Sequence, residues 1–301
     1  MYGKYSRREK GYRLQVTFRV FFVLRNAPTT ESYGATTEVY GATTERYDAT
    51  TEWLFQKSCS SSSRKRKVSE NLAFRSIFCT FVPDMKDSVI ILSGGMDSTT
   101  LLYDQQERIA LAISFDYGSN HNAREIPFAQ LHCRRLGIRH IVIPLEFMSR
   151  YFKSSLLEGD DAIPEGHYAD ENMRSTVVPF RNGIMLSIAI GIAESNGLQH
   201  VMMANHGGDH TIYPDCRPEF VSAMSEAART GTFPGITLLC PFTNMTKGQI
   251  AARGAQLGID YAETWSCYRG GEKHCGRCGT CVERQEALRE AGIADPTEYE
   301  E

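Results

Sequence analysis

Short apolar runs alternate along the chain with longer amphipathic stretches, and the alternation predicts its fold. Val89-Ile90-Ile91-Leu92 is a continuous apolar run of strand length, followed by a glycine turn and a helix over Thr99–Glu107. Ile109 to Phe115 and His140 to Pro144 predict the second and third strands, with a helix from His121 to Leu136 between them. Runs without polar interruption suit strands buried on both faces of a parallel sheet. Gly183 to Ser195 is apolar all round, which predicts a core helix instead of a surface one. A fourth strand is expected over Gln199–Ala204 and a fifth over Ile236–Leu239. Amphipathic helices are expected over Arg217–Arg229 and Thr246–Leu257. Gly137 and Gly258 fall where helices end, as left-handed C-caps require. Strands spaced by helices imply an α/β fold with a doubly wound, mostly parallel sheet.

Residues 1–84 break this pattern. Tyr33-Gly34-Ala35-Thr36-Thr37-Glu38-Val39 recurs over 40–46 and, with Asp48 replacing the glycine, over 47–53. Paired threonines and recurring glycine leave no a/d seam, so a heptad coiled coil is a poor reading. Ser58-Cys59-Ser60-Ser61-Ser62-Ser63 and the basic run Arg64-Lys65-Arg66-Lys67 follow, and tracts of this composition stay solvated. The basic run fits a nuclear-localisation pattern only weakly. The expected organisation is an extension over 1–84, disordered or not native, and a folded body over 85–301 that starts at Met85.

Hydrophobic residues make up 42% of the chain and charged ones 23%, ordinary for a soluble globular protein. A net charge of −3 gives no reason to expect a nucleic-acid partner. No run of eighteen apolar residues occurs, so no transmembrane helix and no membrane partner are expected. Val16 to Leu24 is short and carries Arg19, which makes a poor secretory signal. Of nine cysteines, four crowd into Cys267 to Cys281, a spacing of metal ligands in a reducing, cytoplasmic compartment.

Ser93-Gly94-Gly95-Met96-Asp97-Ser98 joins the first strand to its helix. Paired glycines permit close backbone approach to a ligand, and the unpaired amides of a helix start attract an anion. The stretch fits neither the Walker pattern nor the dinucleotide fingerprint. It resembles the S-G-G-x-D-S signature of the PP-loop ATP pyrophosphatases, which cleave ATP between the α and β phosphates.

Cys267, Cys275, Cys278 and Cys281 can close a tetrahedral sphere with no open position, the mark of a structural zinc site. Gly270, Gly271, Gly276 and Gly279 let the backbone wrap an ion, and Arg269, Lys273 and Arg277 offset its negative charge. An iron–sulfur cluster uses the same ligand set but in ferredoxins adds a Cys-Pro, and a C-x-x-C redox pair belongs to another fold. His274 reads as a surface residue. Cys133, Cys216 and Cys240 read as small core residues, with Cys216 set apart by its polar neighbours.

Further polar clusters fall where strands should end. They are Val178-Pro179-Phe180-Arg181-Asn182, Asn205-His206-Gly207-Gly208-Asp209-His210, Tyr213 to Phe220, and Pro241-Phe242 with Lys247. Singly, Arg181 reads as a surface ion pair, Asp215 as the N-cap of the helix from Pro218, and the histidines as satisfied hydrogen-bonders. In a doubly wound sheet, however, all these loops rise at the edge that carries Ser93–Ser98.

The glycine turn, Val178–Asn182, Tyr213–Phe220, Thr264-Trp265-Ser266-Cys267-Tyr268 and the Cys275-x₂-Cys278-x₂-Cys281 knot stand in this order. Together they resemble the 7-cyano-7-deazaguanine synthases of the PP-loop family, over about residues 86–293. His206 departs from that family's pattern, which has a small residue there. The resemblance implies a Rossmann-like, adenine nucleotide alpha hydrolase-like fold with a C-terminal zinc-binding helical segment. It implies a homodimeric ligase that makes the nitrile from 7-carboxy-7-deazaguanine, ammonium and ATP, with Mg²⁺, for queuosine biosynthesis. ATP contacts are expected from Leu92, Ser93, Gly94, Gly95, Met96, Asp97, Ser98, Thr99, Thr100, Leu101 and Leu102. Asp97, Ser98, Lys247 and Arg181 are the expected catalytic residues. Arg181, Asn182, Asp209, Asp215 and Arg217 are the expected substrate contacts. A PP-loop enzyme acting on tRNA would want a basic surface and, for sulfur transfer, a lone thiol such as Cys216. A noncatalytic ATP-binding module would need only the first motif.

Overall fold

The computed structural model describes residues 86–157, 163–167, 171–207 and 212–301. The expectations for residues 1–84, for Met85 as a start and for Asp209 and His210 lie outside them. Five strands form the sheet: β1 (Ser88–Ile91), β2 (Ile109–Asp116), β3 (Arg139–Pro144), β4 (His200–Met202) and β5 (Thr237–Leu239). All neighbours pair parallel, in the order β3-β2-β1-β4-β5. The helices are α1 (Met96–Asp104), α2 (Asn122–Leu136), α3 (Glu146–Tyr151), α4 (Arg181–Ser195), α5 (Pro218–Gly231), α6 (Lys247–Gln256) and α7 (Gly279–Glu290).

β1 is central, so both of its faces need cover. Val89 packs with Leu111, Ile113 and the α4 residues Leu186, Ala189 and Ala193 on one side. Ile90 packs with Ala112, Met202, Leu101 and Leu102 of α1, Ala129 and Cys133 of α2, and Ile250 of α6 on the other. Successive strand side chains point to opposite faces, which is why β1 is apolar at consecutive positions. The stretch Met173–Ser195 is apolar enough to cross a membrane by composition alone. In the fold, Leu186, Ala189 and Ala193 of α4 are fully buried, and the helix lies against β1 and β4.

The chain runs outward from β1 to β2 and β3, then returns to place β4 on the other flank of β1. Open parallel sheets bind ligands at such a reversal, outside the carboxyl ends of the strands. The glycine turn occupies that position. Gly94 has φ +101, and a Cβ there would lie 2.1 Å from the Glu125 carbonyl oxygen of α2. Its own carbonyl accepts from the Trp265 amide at 3.1 Å. Only glycine fits between these two backbones.

The predicted strands and helices all form, with ends shifted by a few residues. α1 begins at Met96, directly behind the turn, α3 is additional, and α7 is the helical segment expected at the cysteine knot, without bounds read for it. α3 is too short to show a period, and the α7 interior carries Thr280 and Arg284, both buried. Gly137 and Gly258 have φ +64 and +76, as the ends of α2 and α6 require. Asp215 does not cap α5. The short 3₁₀ turn Pro214–Cys216 aims it back at α4, where Oδ2 accepts from the Asn182 amide at 2.8 Å. α5 starts behind Arg217 with no side-chain cap.

Gly94→Ala should therefore lose about 2–5 kcal/mol of stability, from the left-handed backbone and the clash with α2 together. Urea unfolding checks this, with Gly197→Ala as a control: that glycine has φ +68 but nothing within 4 Å of an added Cβ, so only the backbone cost applies.

Candidate active site

At the turn, three hydroxyl contacts keep the backbone amides convergent. Ser98 Oγ accepts from the Ser93 amide at 3.2 Å and the Gly94 amide at 3.4 Å, and Ser93 Oγ accepts from the Gly95 amide at 3.0 Å. α1 follows with Gly95 as N-cap and no side-chain cap, so its first amides and the positive end of its dipole face outward. This arrangement is complementary to an anion with several oxygens. It forms one wall of a cavity of about 230 Å³ lined by Ser93, Asp97, Glu125, Arg181, Lys247 and Trp265 among others.

Asp97 leaves the first turn of α1 towards α6. Its Oδ2 lies 3.3 Å from Lys247 Nζ, and Lys247 Nζ in turn lies 2.6 Å from Glu283 Oε2 of α7. His206, fully inside after β4, places Nε2 3.7 Å from Asp97 and 4.0 Å from Glu283. A capping box between Thr246 and Gln249 fixes the start of α6, and with it Lys247. Asp97 Oδ1 is buried and has no hydrogen-bond partner among the described residues. An unmatched carboxylate oxygen beside a phosphate cradle suits a hard cation such as Mg²⁺.

The opposite wall collects residues from β2, α2, α4 and the loop before the cysteine knot. Phe180, at φ +52, is the single non-glycine residue with positive φ among the described residues, and it delivers Arg181 as the first residue of α4. Arg181 donates to Tyr117 Oη at 3.2 Å and stacks over that ring at 5.7 Å. Burial opposes its charge, but Tyr117, Tyr268 and Asp215 more than offset this, so the guanidinium stays charged. Asn182 donates from Nδ2 to Cys216 Sγ at 3.1 Å, which brings that thiol to the cavity wall. Asp215 stands behind Asn182, and neither it nor Arg217 lines the cavity.

Glu125, Tyr117, His121 and Glu283 escaped the sequence reading. Tyr117 and His121 follow β2 at the same sheet edge as the glycine turn, so the strand-end rule reaches them. Glu283 has no such signal; it arrives on a helix from beyond the knot. Burial drives His121 down to about 3, which leaves it neutral. Glu125, 14% exposed, has His121 Nε2 at 3.9 Å and no side-chain hydrogen bond among the described residues. Burial pushes its carboxyl up from 4.5 to about 8 against the pull of Arg181.

The four cysteine sulfurs lie within 4.8 Å of one another and are all buried. A zinc–sulfur bond of about 2.3 Å gives a tetrahedral edge near 3.8 Å, so the cluster has the size of a Cys₄ site. Hydrogen bonds from Cys267 and Cys281 hold the Cys278 thiol well below its ordinary range. His274 is not a surface residue. It is 5% exposed, stacks on Trp265 at 4.2 Å, and its Nε2 accepts from the Ser266 amide at 3.1 Å. A bridge to Tyr299 in the C-terminal tail covers it, a contact far along the chain. Lys273 faces Glu298 at 3.5 Å, while Arg269 and Arg277 share Glu165.

The family model for queuosine biosynthesis protein QueC matches residues 87–292. The chain belongs to this family. A 7-cyano-7-deazaguanine synthase of Porphyromonas gingivalis is 63% identical over 215 residues, 71% of this chain and 98% of the relative. Synthases of the same name from Desulfotalea psychrophila and Methanoregula boonei are 53% and 52% identical, each over 71% of this chain and 99% of its own length. The QueC-family match thus takes in the glycine turn, both cavity walls and the cysteine knot.

Two outcomes follow from the geometry. Between pH 4.5 and about 8 the folded chain holds a proton on Glu125 that the unfolded chain has released, so this group's contribution to stability falls as pH rises. Glu125→Gln removes the effect: its stability relative to the unsubstituted protein should climb across that window in urea titrations. A flat difference would contradict the burial argument. Cys278→Ala should lose bound metal and lower the melting temperature by about 10 °C or more, read by metal analysis and calorimetry.

Proposed function

We propose that the chain is an ATP-dependent carbon–nitrogen ligase that converts 7-carboxy-7-deazaguanine and ammonia to 7-cyano-7-deazaguanine in queuosine biosynthesis. One observation carries the reading beside family membership. The cradle at Ser93–Ser98 and the cation of Arg181 face the same cavity, a phosphate site opposite a carboxylate site.

A carboxylate is a poor acceptor for ammonia until it carries a leaving group. Its oxygen attacks the α-phosphorus of ATP, pyrophosphate departs, and an acyl-adenylate forms. In this reading the turn of Ser93, Gly94 and Gly95, the first amides of α1 and its dipole, and the Ser93 and Ser98 hydroxyls stabilise the departing charge. Lys247 adds a positive charge that Asp97 and Glu283 keep in place. Arg181 and Asn182 hold the deazapurine end, with the carboxylate on the guanidinium. Ammonia then displaces AMP to give the amide. A second adenylation, now on the amide oxygen, and expulsion of AMP leave the nitrile. Leu92 and the residues from Met96 to Leu102 support the ATP site through β1 and α1.

The metal of the knot is read as one zinc ion, held by Cys267, Cys275, Cys278 and Cys281 in a purely structural role. Mg²⁺ would be held at Asp97 and would offset phosphate charge. Residues 85–301 are read as the catalytic unit, a homodimer in the cytoplasm supplied with free ammonium; the span of the family match supports these limits.

Purified, zinc-loaded protein given 7-carboxy-7-deazaguanine, ammonium and Mg-ATP should yield the nitrile, AMP and pyrophosphate by mass spectrometry. Absence of both nitrile and AMP would sink the assignment. Asp97→Ala should lower turnover at least about 100-fold while zinc content stays the same.

A further inference from the structure

Nitrile formation places a demand that adenylation does not meet. Converting the amide to the nitrile removes both protons from one nitrogen. When the amide oxygen attacks the α-phosphorus, pyrophosphate leaves and one N–H proton departs, giving a neutral imidate adenylate. The C–O bond then breaks, AMP leaves with its electron pair, the second N–H proton departs, and that N–H pair becomes the third C–N bond. The earlier ammonia step differs. Its adduct carries a positively charged nitrogen, acidic enough to lose a proton to AMP or to water. Attack through the amide oxygen likewise leaves a positively charged, acidic nitrogen, but the neutral imidate N–H that must go next is a far weaker acid and needs a base placed beside it.

The cavity holds few groups that can serve. Asp97 faces Lys247 and His206. His121 is held neutral and weakly basic by burial. Cys216 accepts from Asn182, and Tyr117 accepts from Arg181. Glu125 is different. Its carboxyl lines the cavity without a hydrogen bond among the described residues, and Oε1 lies 3.6 Å from where a Cβ on Gly95 would stand. It therefore sits over the phosphate turn, within the electrostatic reach of Arg181 across the cavity. Its contact with the turn is held by backbone, since the α2 carbonyl of this same residue packs against Gly94.

We infer that Glu125 is the base that removes the N–H protons when the amide is converted to the nitrile. This rests on the ligase reading above and assigns it a residue. Each proton taken by the carboxylate returns to water through the open side of the cavity, so the group is reset between the two transfers. Its proton affinity suits the role, because a carboxyl raised to about 8 is, once ionised, a far better proton acceptor than an ordinary one, and the ionised share grows as pH rises towards 8. The charged and titratable groups facing it are Arg181, which favours the carboxylate, neutral His121, and Tyr117, whose own ionisation the carboxylate opposes.

The test separates the two halves of the reaction. Glu125→Gln keeps the shape and removes the base. Given 7-carboxy-7-deazaguanine, ammonium and Mg-ATP, it should still make the amide within about threefold of the normal rate. Nitrile formation should fall by about 10²–10⁴-fold, so the amide accumulates. Supplied with the amide directly, it should be correspondingly slow. Nitrile production at the normal rate would overturn the proposal, and so would equal loss of amide and nitrile in a variant with normal zinc content and melting temperature. Should Glu125→Gln not fold, Glu125→Asp carries the test: its retracted carboxylate should shift the product ratio towards amide, and an unchanged ratio overturns the proposal. An unsubstituted enzyme that makes no nitrile at all defeats the ligase reading itself, a different result from either.

Discussion

Gly94 has no room for a side chain, and the cavity is assembled around that close approach. Its backbone lies against the Glu125 carbonyl on α2 and accepts from Trp265 in the segment that leads to the cysteine knot. Three parts of the chain, separated by up to 171 positions, meet at one residue of the phosphate turn. A Cβ at Gly94 would push α2 away and carry Glu125, His121 and Asn122 with it. The turn is therefore both the anion cradle and the keystone of the wall opposite.

The knot bears on the same place from the other side. Cys278 is the N-cap of α7 and Cys281 lies in its first turn, so a metal there would set the start of that helix. Two residues on, Glu283 pairs with Lys247, which pairs with Asp97. Arg284, fully buried, donates to Thr264, Ser266, Thr297 and the Tyr261 carbonyl, tying α7 to the segment around Trp265 and Ser266 that lines the cavity. A metal bound at the knot would thus set the placement of Lys247 through one turn of helix. Breaking one member of such a buried charge network leaves the others uncompensated, which is where the cost lies.

Both walls present positive charge to the cavity. One presents the first amides of α1, its dipole and Lys247; the other presents the Arg181 guanidinium and a Glu125 carboxyl that burial raises to about 8. Shielding from water strengthens each of these interactions. It also explains why Glu125 and His121 shift in opposite directions while neighbouring one another: burial disfavours whichever form is charged.

Much of this architecture is legible in the sequence. The continuous apolar run of β1, the all-round apolar α4 and the glycines that end α2 and α6 are local consequences of burial and backbone geometry, so they can be read residue by residue. Close spacing makes the glycine turn and the cysteine set legible for the same reason. What the sequence by itself left open was decided by long-range packing. Asp215 reads as a cap for the helix that follows it, but the 3₁₀ turn directs it to a helix that precedes it by 33 positions. His274 reads as exposed until Trp265 and Tyr299 enclose it. Glu125 and Glu283 carry no local signal, because nothing within their own helices distinguishes a carboxylate facing water from one facing a cavity. Local pattern determined which elements form and where a phosphate would bind. Only the tertiary structure decided which charges are buried together, since burial is a property of neighbours brought from elsewhere in the chain.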